Sequence, residues 1–310
     1  MAEVQRDVTL YYRGTDITED VDIIECVLKD VSGGEADCLN LKVDHADKWF
    51  QWGTAKNDTL RVTRAGYDSK TLYLNTIVPE DGAYRIYATG SKAVPYPSRF
   101  QKWEKVGFTA IMSTCAGECG MGFSSYGVPA GTYRYLMRNN LSAPVFMEIL
   151  ANREGAVLKA LDGQYKAIGV QYAQGMGAMH QLELDDDQMD SEYIDRRDLS
   201  WSSCTIKTIF GNGVAVDSKS GGKSRLITDL PVEDDATAYR WAKGILMMHN
   251  RQSEILNIEM DFNPGYTAMV RIDVKSRTDA NGQWIIDRVE QNLLDGRTKA
   301  RMYRCITGIG

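Results

Sequence analysis

Apolar and polar residues alternate with period two through much of residues 8–90. Val8, Leu10 and Tyr12 alternate with Thr9 and Tyr11, Leu39, Leu41 and Val43 with Asn40, Lys42 and Asp44, and Leu60 and Val62 with Arg61 and Thr63. That period sets one face of each segment on a core and the other in water, which predicts strands. Asp81-Gly82, between LYLNTIV and YRIYATG, predicts a hairpin. Short strands separated by turns point to a small barrel or sandwich over residues 1–95.

Residues 91–104 carry two prolines and break the rhythm, which marks a boundary. Beyond it the period changes. Phe108, Ile111, Met112 and Cys115 fall at helical spacing before a glycine-rich stop. A second helix fits 143–154, with Val145, Ile149 and Leu150 on one face, and GAVLKALDGQYKAIGVQ predicts a hairpin turning at Asp162-Gly163. Residues 96–170 therefore read as an α+β segment. From residue 171 the chain is first glycine-rich, then acidic, then forms a hairpin turning at Gly211-Asn212-Gly213. The spacing predicts a helix over 234–250 with Ala238, Trp241, Ala242, Ile245, Met248 and His249 on one face. Asp234 and Asp235 suit its positive N-terminal end. Four strands follow, with Asn281-Gly282 and Asp295-Gly296 as turns, so 171–310 reads as an antiparallel barrel or sheet carrying one packed helix.

Composition narrows the class. The 310 residues are 43% apolar and 25% charged, ordinary globular usage that excludes disorder, collagen and a disulfide-rich miniprotein. No apolar run reaches the ~18 residues a membrane span needs. A net charge of −6 argues against a general nucleic-acid binder. MAEVQRDVTLYY has no signal-peptide pattern, so synthesis in a cytosol without cleaved export is expected. Cys26, Cys38, Cys115, Cys119, Cys204 and Cys305 read as free thiols. Only His45, His180 and His249 offer imidazoles.

Candidate chemistry is sparse. Cys115 and Cys119 share a helix face, but no further Cys or His lies nearby to complete a zinc site. Gly221-Gly222-Lys223-Ser224 resembles the end of a phosphate loop, yet Asp217 stands where the pattern needs glycine. The acidic run Asp185, Asp186, Asp187, Asp190, Glu192, Asp195 and Asp198 lacks the calcium-loop glycine and reads as a solvated connector. No G-x-S-x-G elbow is present, and no carboxylate pair stands out for glycoside cleavage. Trp49 and Trp52 form the densest aromatic cluster, a core pair before a sugar-binding shelf.

One long pattern does emerge. VSGGEADCLNLKVDHADKWF, residues 31–50, resembles the N-terminal signature of the central baseplate hub proteins of contractile phage tails, the late control gene D family. Its parts here are Ser32, Gly33, Glu35, Ala36, Asp37, Leu39, Leu41, Asp44 and Trp49. Residues 56–78 resemble the family's next two strands, 97–123 and 145–169 its mid-chain insert, and 234–266 its closing helix and strands.

The resemblance implies a mainly-β α+β fold. Two antiparallel β-barrel tube domains, 1–95 and 171–310 with helix 234–250, would flank an α+β insert domain over 96–170. Three copies would form a ring around a channel, joining the sixfold tail tube to the threefold central spike. It implies a structural homotrimer in a virion or bacteriocin particle, assembled in the host bacterial cytoplasm. The partners would be the tail tube protein, the spike protein, other baseplate proteins and the tape measure protein in the lumen. No enzyme activity, cofactor, metal, specific nucleic acid or membrane span is implied. The sequence has no spike or lysozyme region, so the spike is expected on another chain. A negative channel wall would keep DNA phosphates from sticking. The competing readings are a tail-tip cell-wall hydrolase and a host-surface glycan-binding module using Trp49 or Trp52.

Overall fold

Strands from both ends of the chain meet in one fourteen-stranded sheet in the computed structural model, which describes residues 7–44, 46–129, 131–184 and 190–310. The C-terminal part runs Asp190–Asp195, Glu254–Asp261, Arg297–Arg304, Gly282–Asn292. The N-terminal part continues through Ile23–Val31, Cys38–Val43, Ala83–Thr89, Leu72–Glu80, Thr59–Arg64, Val8–Tyr12 and Thr15–Asp16. The seam lies between Gly282–Asn292 and Ile23–Val31, where Arg288 through Asn292 pair antiparallel with Val31 through Val27.

The mainly-β α+β class is the one observed. The closed barrels are not: the sheet path runs open, from Asp190–Asp195 at one end to Thr15–Asp16 at the other. Alternation tells which face of a strand is buried but says nothing of its neighbours, so the seam was invisible in the pattern. Among the described residues three strand pairs are parallel rather than antiparallel, including His180–Glu183 with Arg271–Lys275 and Trp201–Lys207 with Lys223–Ile227. A strand at Arg99–Gly107 and short helices at Ala46–Gln51 and Val170–Gly175 were not anticipated.

One face of the large sheet covers two cores. Leu10, Leu39, Leu41, Val62 and Ile86 build the N-terminal one, and Leu256, Ile258, Trp284, Ile286 and Met302 the C-terminal one. The other face is polar over much of its width, except where Ile255, Ile285 and Tyr303 are buried. Across four neighbouring strands the register Glu259–Lys299–Glu290–Lys29 alternates in sign, the favourable arrangement for directly opposed side chains.

All three long predicted helices form: Phe108–Glu118, Ala143–Arg153 and Asp235–Asn250. They share one core, where Phe108, Ile111, Phe146, Met147, Leu150, Trp241 and Leu246 meet. The buried face of Ala143–Arg153 differs from the expected one. Phe146, Met147 and Leu150 point in, while Val145 is 48% exposed. The larger aromatic and thioether side chains win the interior because they bury more apolar area. Helix Asp235–Asn250 is packed on two sides, against strand Asn212–Val216 and against the chain at Arg153–Gly155, so Leu246 and Met247 are buried with Ala238, Trp241 and Ala242 of the expected stripe, while Ile245, Met248 and His249 are half-buried. The hairpin before it turns at Thr208–Gly211, with Asn212 already in the strand.

Candidate functional site at the signature turn

Strand Ile23–Val31 ends in the turn that carries Ser32, Gly33, Glu35, Ala36 and Asp37. The turn touches two distant parts of the chain, through three sets of contacts. Ser32 donates its N–H to the Asp287 carbonyl at 2.8 Å and its hydroxyl to Asp287 Oδ1 at 2.6 Å. Glu35 accepts from Lys29 at 2.7 Å and from Arg288 at 3.1 Å. Both contacts tie the turn to strand Gly282–Asn292.

The third contact is deeper. Strand Ala156–Leu161 lies against the turn so closely that a Cβ at Gly33 would press on the Leu158 backbone, and one at Gly90 would overlap the Ala160 carbonyl. Residues without a Cβ are required at such approaches. From this strand Lys159 enters a site where its side chain is 6% exposed. Its ammonium bonds Asp37 Oδ1 at 2.9 Å, Asp37 Oδ2 at 2.8 Å, the Val31 carbonyl at 3.1 Å, and Asp30. Asp30 also accepts from Ala268 N–H at 3.1 Å, and Asp37 from Val31 N–H at 3.0 Å. Burial, and the nearby Asp30 charge, push the Asp37 carboxyl up to about 6 against the lowering pull of Lys159. Lys159 is raised, because the two carboxylates outweigh its own desolvation.

A second buried node fastens Tyr133 and Glu154 to helix Asp235–Asn250. The Glu154 carboxylate, fully buried, accepts from Tyr133 Oη at 2.6 Å, Arg240 Nε at 2.7 Å and Trp241 Nε1 at 2.7 Å. Both nodes consume their charges internally. Asp30, Asp37 and Lys159 also line a cleft of about 300 Å³ with Tyr67 and Tyr126, but each carboxylate is already bonded by donors of the chain, and the arrangement holds segments together.

The remaining candidates fall elsewhere. Cys115 and Cys119 are fully buried, and burial pushes both thiols up to about 11, far from a thiolate ligand state. Among the described residues no group of His, Cys, Asp and Glu is placed to hold a metal ion, and no helix is long and apolar enough to cross a membrane. Gly221 and Gly222 lead into an edge strand, Lys223–Ile227, rather than a helix, so no phosphate cradle forms. Trp49 is 1% exposed and packs on Tyr12 and Trp52 at 5.4 and 5.1 Å in the N-terminal core. Asp190, Glu192 and Asp195 lie on the terminal strand of the sheet; Asp185, Asp186 and Asp187 fall outside the described residues, as does His45. His180 stacks on Tyr266 and His249 on Trp201.

Sequence reasoning missed Lys159, Asp30, Asp287 and Glu154. A lone Lys inside the apolar strand AVLKAL was the available signal, since a strand with both faces covered leaves a charge no solvent to reach.

No protein-family model matches the chain, and no curated protein matches its sequence. Solved structures do match its fold. A 43 kDa tail protein of prophage MuSo2 from Shewanella oneidensis superposes with a TM-score of 0.74 at 12% identity, over 98% of this chain and 99% of that one. A tail protein from Neisseria meningitidis MC58 gives 0.71 at 13% identity, over 96% of each chain. The Escherichia coli c3393 protein, described as a type VI secretion component structurally similar to T4 tail proteins gp27 and gp5, gives 0.57 at 10% identity, over 95% of this chain and 76% of that one. From end to end, the chain shares the fold of these tail proteins.

Proposed function

We propose that the chain is a structural hub of a contractile tail baseplate, in a phage or a phage-tail-like bacteriocin, working as a homotrimeric ring between the tail tube and the central spike. The observation that carries this reading is the likeness to the Shewanella tail protein over essentially the whole of both chains. The open sheet supports it. Its terminal strand Asp190–Asp195 presents unpaired backbone groups, and a closed ring of copies hides such edges without exposing new ones.

In this reading the polar face of the large sheet lines the channel. That face mixes both signs: Arg85 bonds Glu25 at 3.1 Å, Lys42 bonds Glu80 at 3.1 Å, and Arg297 bonds Asp261 at 2.8 Å. Ion pairs of both signs on this face make the wall of this reading mixed in charge, where the net charge suggested a negative one. Most of its cations are spent on carboxylates, Arg301 on the neutral Gln252 being an exception, which suits a passage better than a binding groove. The signature turn then serves as the internal clamp between tube and insert regions, with no catalytic role, and the tube, spike and neighbouring baseplate proteins are its partners.

Light scattering on the purified protein, alone and with the neighbouring tube and spike proteins, tests the proposal. A trimer that binds both is expected. A stable monomer that ignores both refutes the hub. Clearing of peptidoglycan by the isolated chain, lost on replacing one carboxylate, would establish the hydrolase instead.

A further inference from the structure

The face of helix Ala143–Arg153 that turned out not to be buried looks into a cleft of about 270 Å³. Pro144, Val145, Ile149, Leu158 and Tyr165 give it apolar walls, and the signature residues Gly34 and Ala36 close one side. The volume equals about nine waters at their liquid share. Glu148 lies in this cleft, half-buried, and it is an anomaly. Its carboxylate takes neutral donors, Asn152 Nδ2 at 3.3 Å and the Gly34 N–H; Arg251 is near enough to favour its charge but bonds Ser32 at 3.5 Å and Asp287 at 3.8 Å, so no ion pair with Glu148 forms among the described residues. The other acid of the cleft, Glu35, is already held by Lys29 and Arg288. No basic side chain lines the cleft. A desolvated carboxylate with no cation bonded to it, only Arg251 acting from a distance, is costly to keep, unlike the saturated nodes at Asp37 and Glu154. Burial raises the Glu148 carboxyl, the mark of a charge short of a partner.

We infer that this cleft is a docking site for a segment of another protein that carries one arginine or lysine flanked by apolar side chains. The cation would pair with Glu148, and the apolar neighbours would seat on Pro144, Val145 and Ile149. Charge complementarity commits the site to a cationic anchor, and the apolar walls commit it to a side chain on a hydrophobic segment rather than a free hydrated ion. The inference concerns the isolated chain and stands whether or not the hub reading does.

The test is calorimetric titration of the full chain with acetyl-Val-Leu-Arg-Leu-Val-amide and with its neutral citrulline analogue. The arginine peptide should bind at least about tenfold more tightly than the analogue. Glu148→Gln should bring the two to equal affinity. Val145→Arg places a guanidinium one turn from Glu148 on the same helix face, so it should fill the site itself and abolish binding while leaving the fold intact. Failure of the arginine peptide to bind, or equal affinity of both peptides for the unaltered chain, overturns the inference. Self-association of the chain that the peptide displaces would assign the cleft to a second copy and overturn the foreign segment.

Discussion

Lys159→Met is the sharpest probe of the junction at the signature turn. The change keeps the length and apolar stem of the side chain and deletes the ammonium. Asp30 and Asp37 then face each other with side chains 10% and 6% exposed and no counter-charge. Removing one partner of a buried ion pair costs about 3–5 kcal/mol. Because Asp30 keeps the Ala268 N–H and Asp37 keeps the Val31 N–H, the low end applies, about 3 kcal/mol near neutral pH. The pH dependence carries a definite sign. Asp37 has a folded-state pKa above its unfolded value even with Lys159 present, so the native state binds the extra proton between the ordinary aspartate value and about 6. That contribution is present at acid pH and is lost as pH rises through the folded value. Without the ammonium the carboxyl rises further, so the deficit of the variant should shrink to roughly half on going from pH 7.5 to pH 5. The raised Lys159 acts in the other window: its stabilisation holds at neutral pH and is lost only in alkali. Urea unfolding followed by tryptophan fluorescence at the two pH values measures both quantities. A deficit below about 1 kcal/mol, or one that is equal at both pH values, would refute the assignment of a buried, charged junction.

Four further variants test the helices and the second buried node. A Cβ at Gly244 would overlap the Arg153 carbonyl, whereas one at Gly117 meets open space in helix Phe108–Glu118. Gly244→Ala should therefore destabilise by about 1–3 kcal/mol and Gly117→Ala stabilise by about 0.5–1 kcal/mol, read as opposite shifts in thermal midpoint; shifts of the same sign would contradict the contact. Asp234→Ala removes the N-cap that accepts from Thr237 N–H at 2.8 Å and should cost about 1 kcal/mol. The same bond holds the Asp234 carboxyl below its ordinary value, so this stabilisation is present at neutral pH and disappears as pH falls through the acid range; a deficit that grows in acid would be wrong for a cap. Glu154→Gln turns an amide N–H₂ towards donors from Tyr133, Arg240 or Trp241 and should cost about 2–3 kcal/mol in chemical denaturation, with a change under 0.5 kcal/mol counting against the node.

The fold was legible where local chemistry decides it. Alternation located the strands Val8–Tyr12, Cys38–Val43 and Glu254–Asp261 because each has one wet face. Asp81-Gly82 and Asp162-Gly163 marked their hairpins because all four residues take positive φ, which those two types tolerate. What could not be read was pairing between segments far apart in the chain. Nothing in IIECVLKDV or GQWIIDRVEQN announces that they are neighbours, since each simply presents an alternating surface. Helix faces were harder still at Ala143–Arg153, where Val145 and Phe146 are both apolar and periodicity alone does not choose the one that faces out.

The site follows the same division. Ser32, Gly33, Glu35, Ala36 and Asp37 stood out as a pattern, yet what each does depends on partners the pattern omits: Asp287 for Ser32, Arg288 for Glu35, and Lys159 for Asp37. A charged residue is ordinarily a surface residue, so Lys159 and Asp37 would each pass for a solvated side chain when read alone. Their burial makes sense only jointly. A conserved volume of apolar side chains would pack as well, but it would also tolerate a strand slipped by two residues, whereas one ammonium between two carboxylates fixes a single register of Ala156–Leu161 against the turn. Register, more than stability, is thus the physical reason for placing costly charges at the meeting point of the large sheet and the insert. The isosteric set Asp30→Asn, Asp37→Asn and Lys159→Met, which removes all three charges together, should accordingly recover much of the stability lost in Lys159→Met while broadening the amide spectra of residues 156–161; sharp, single resonances there would show that packing alone sets the register.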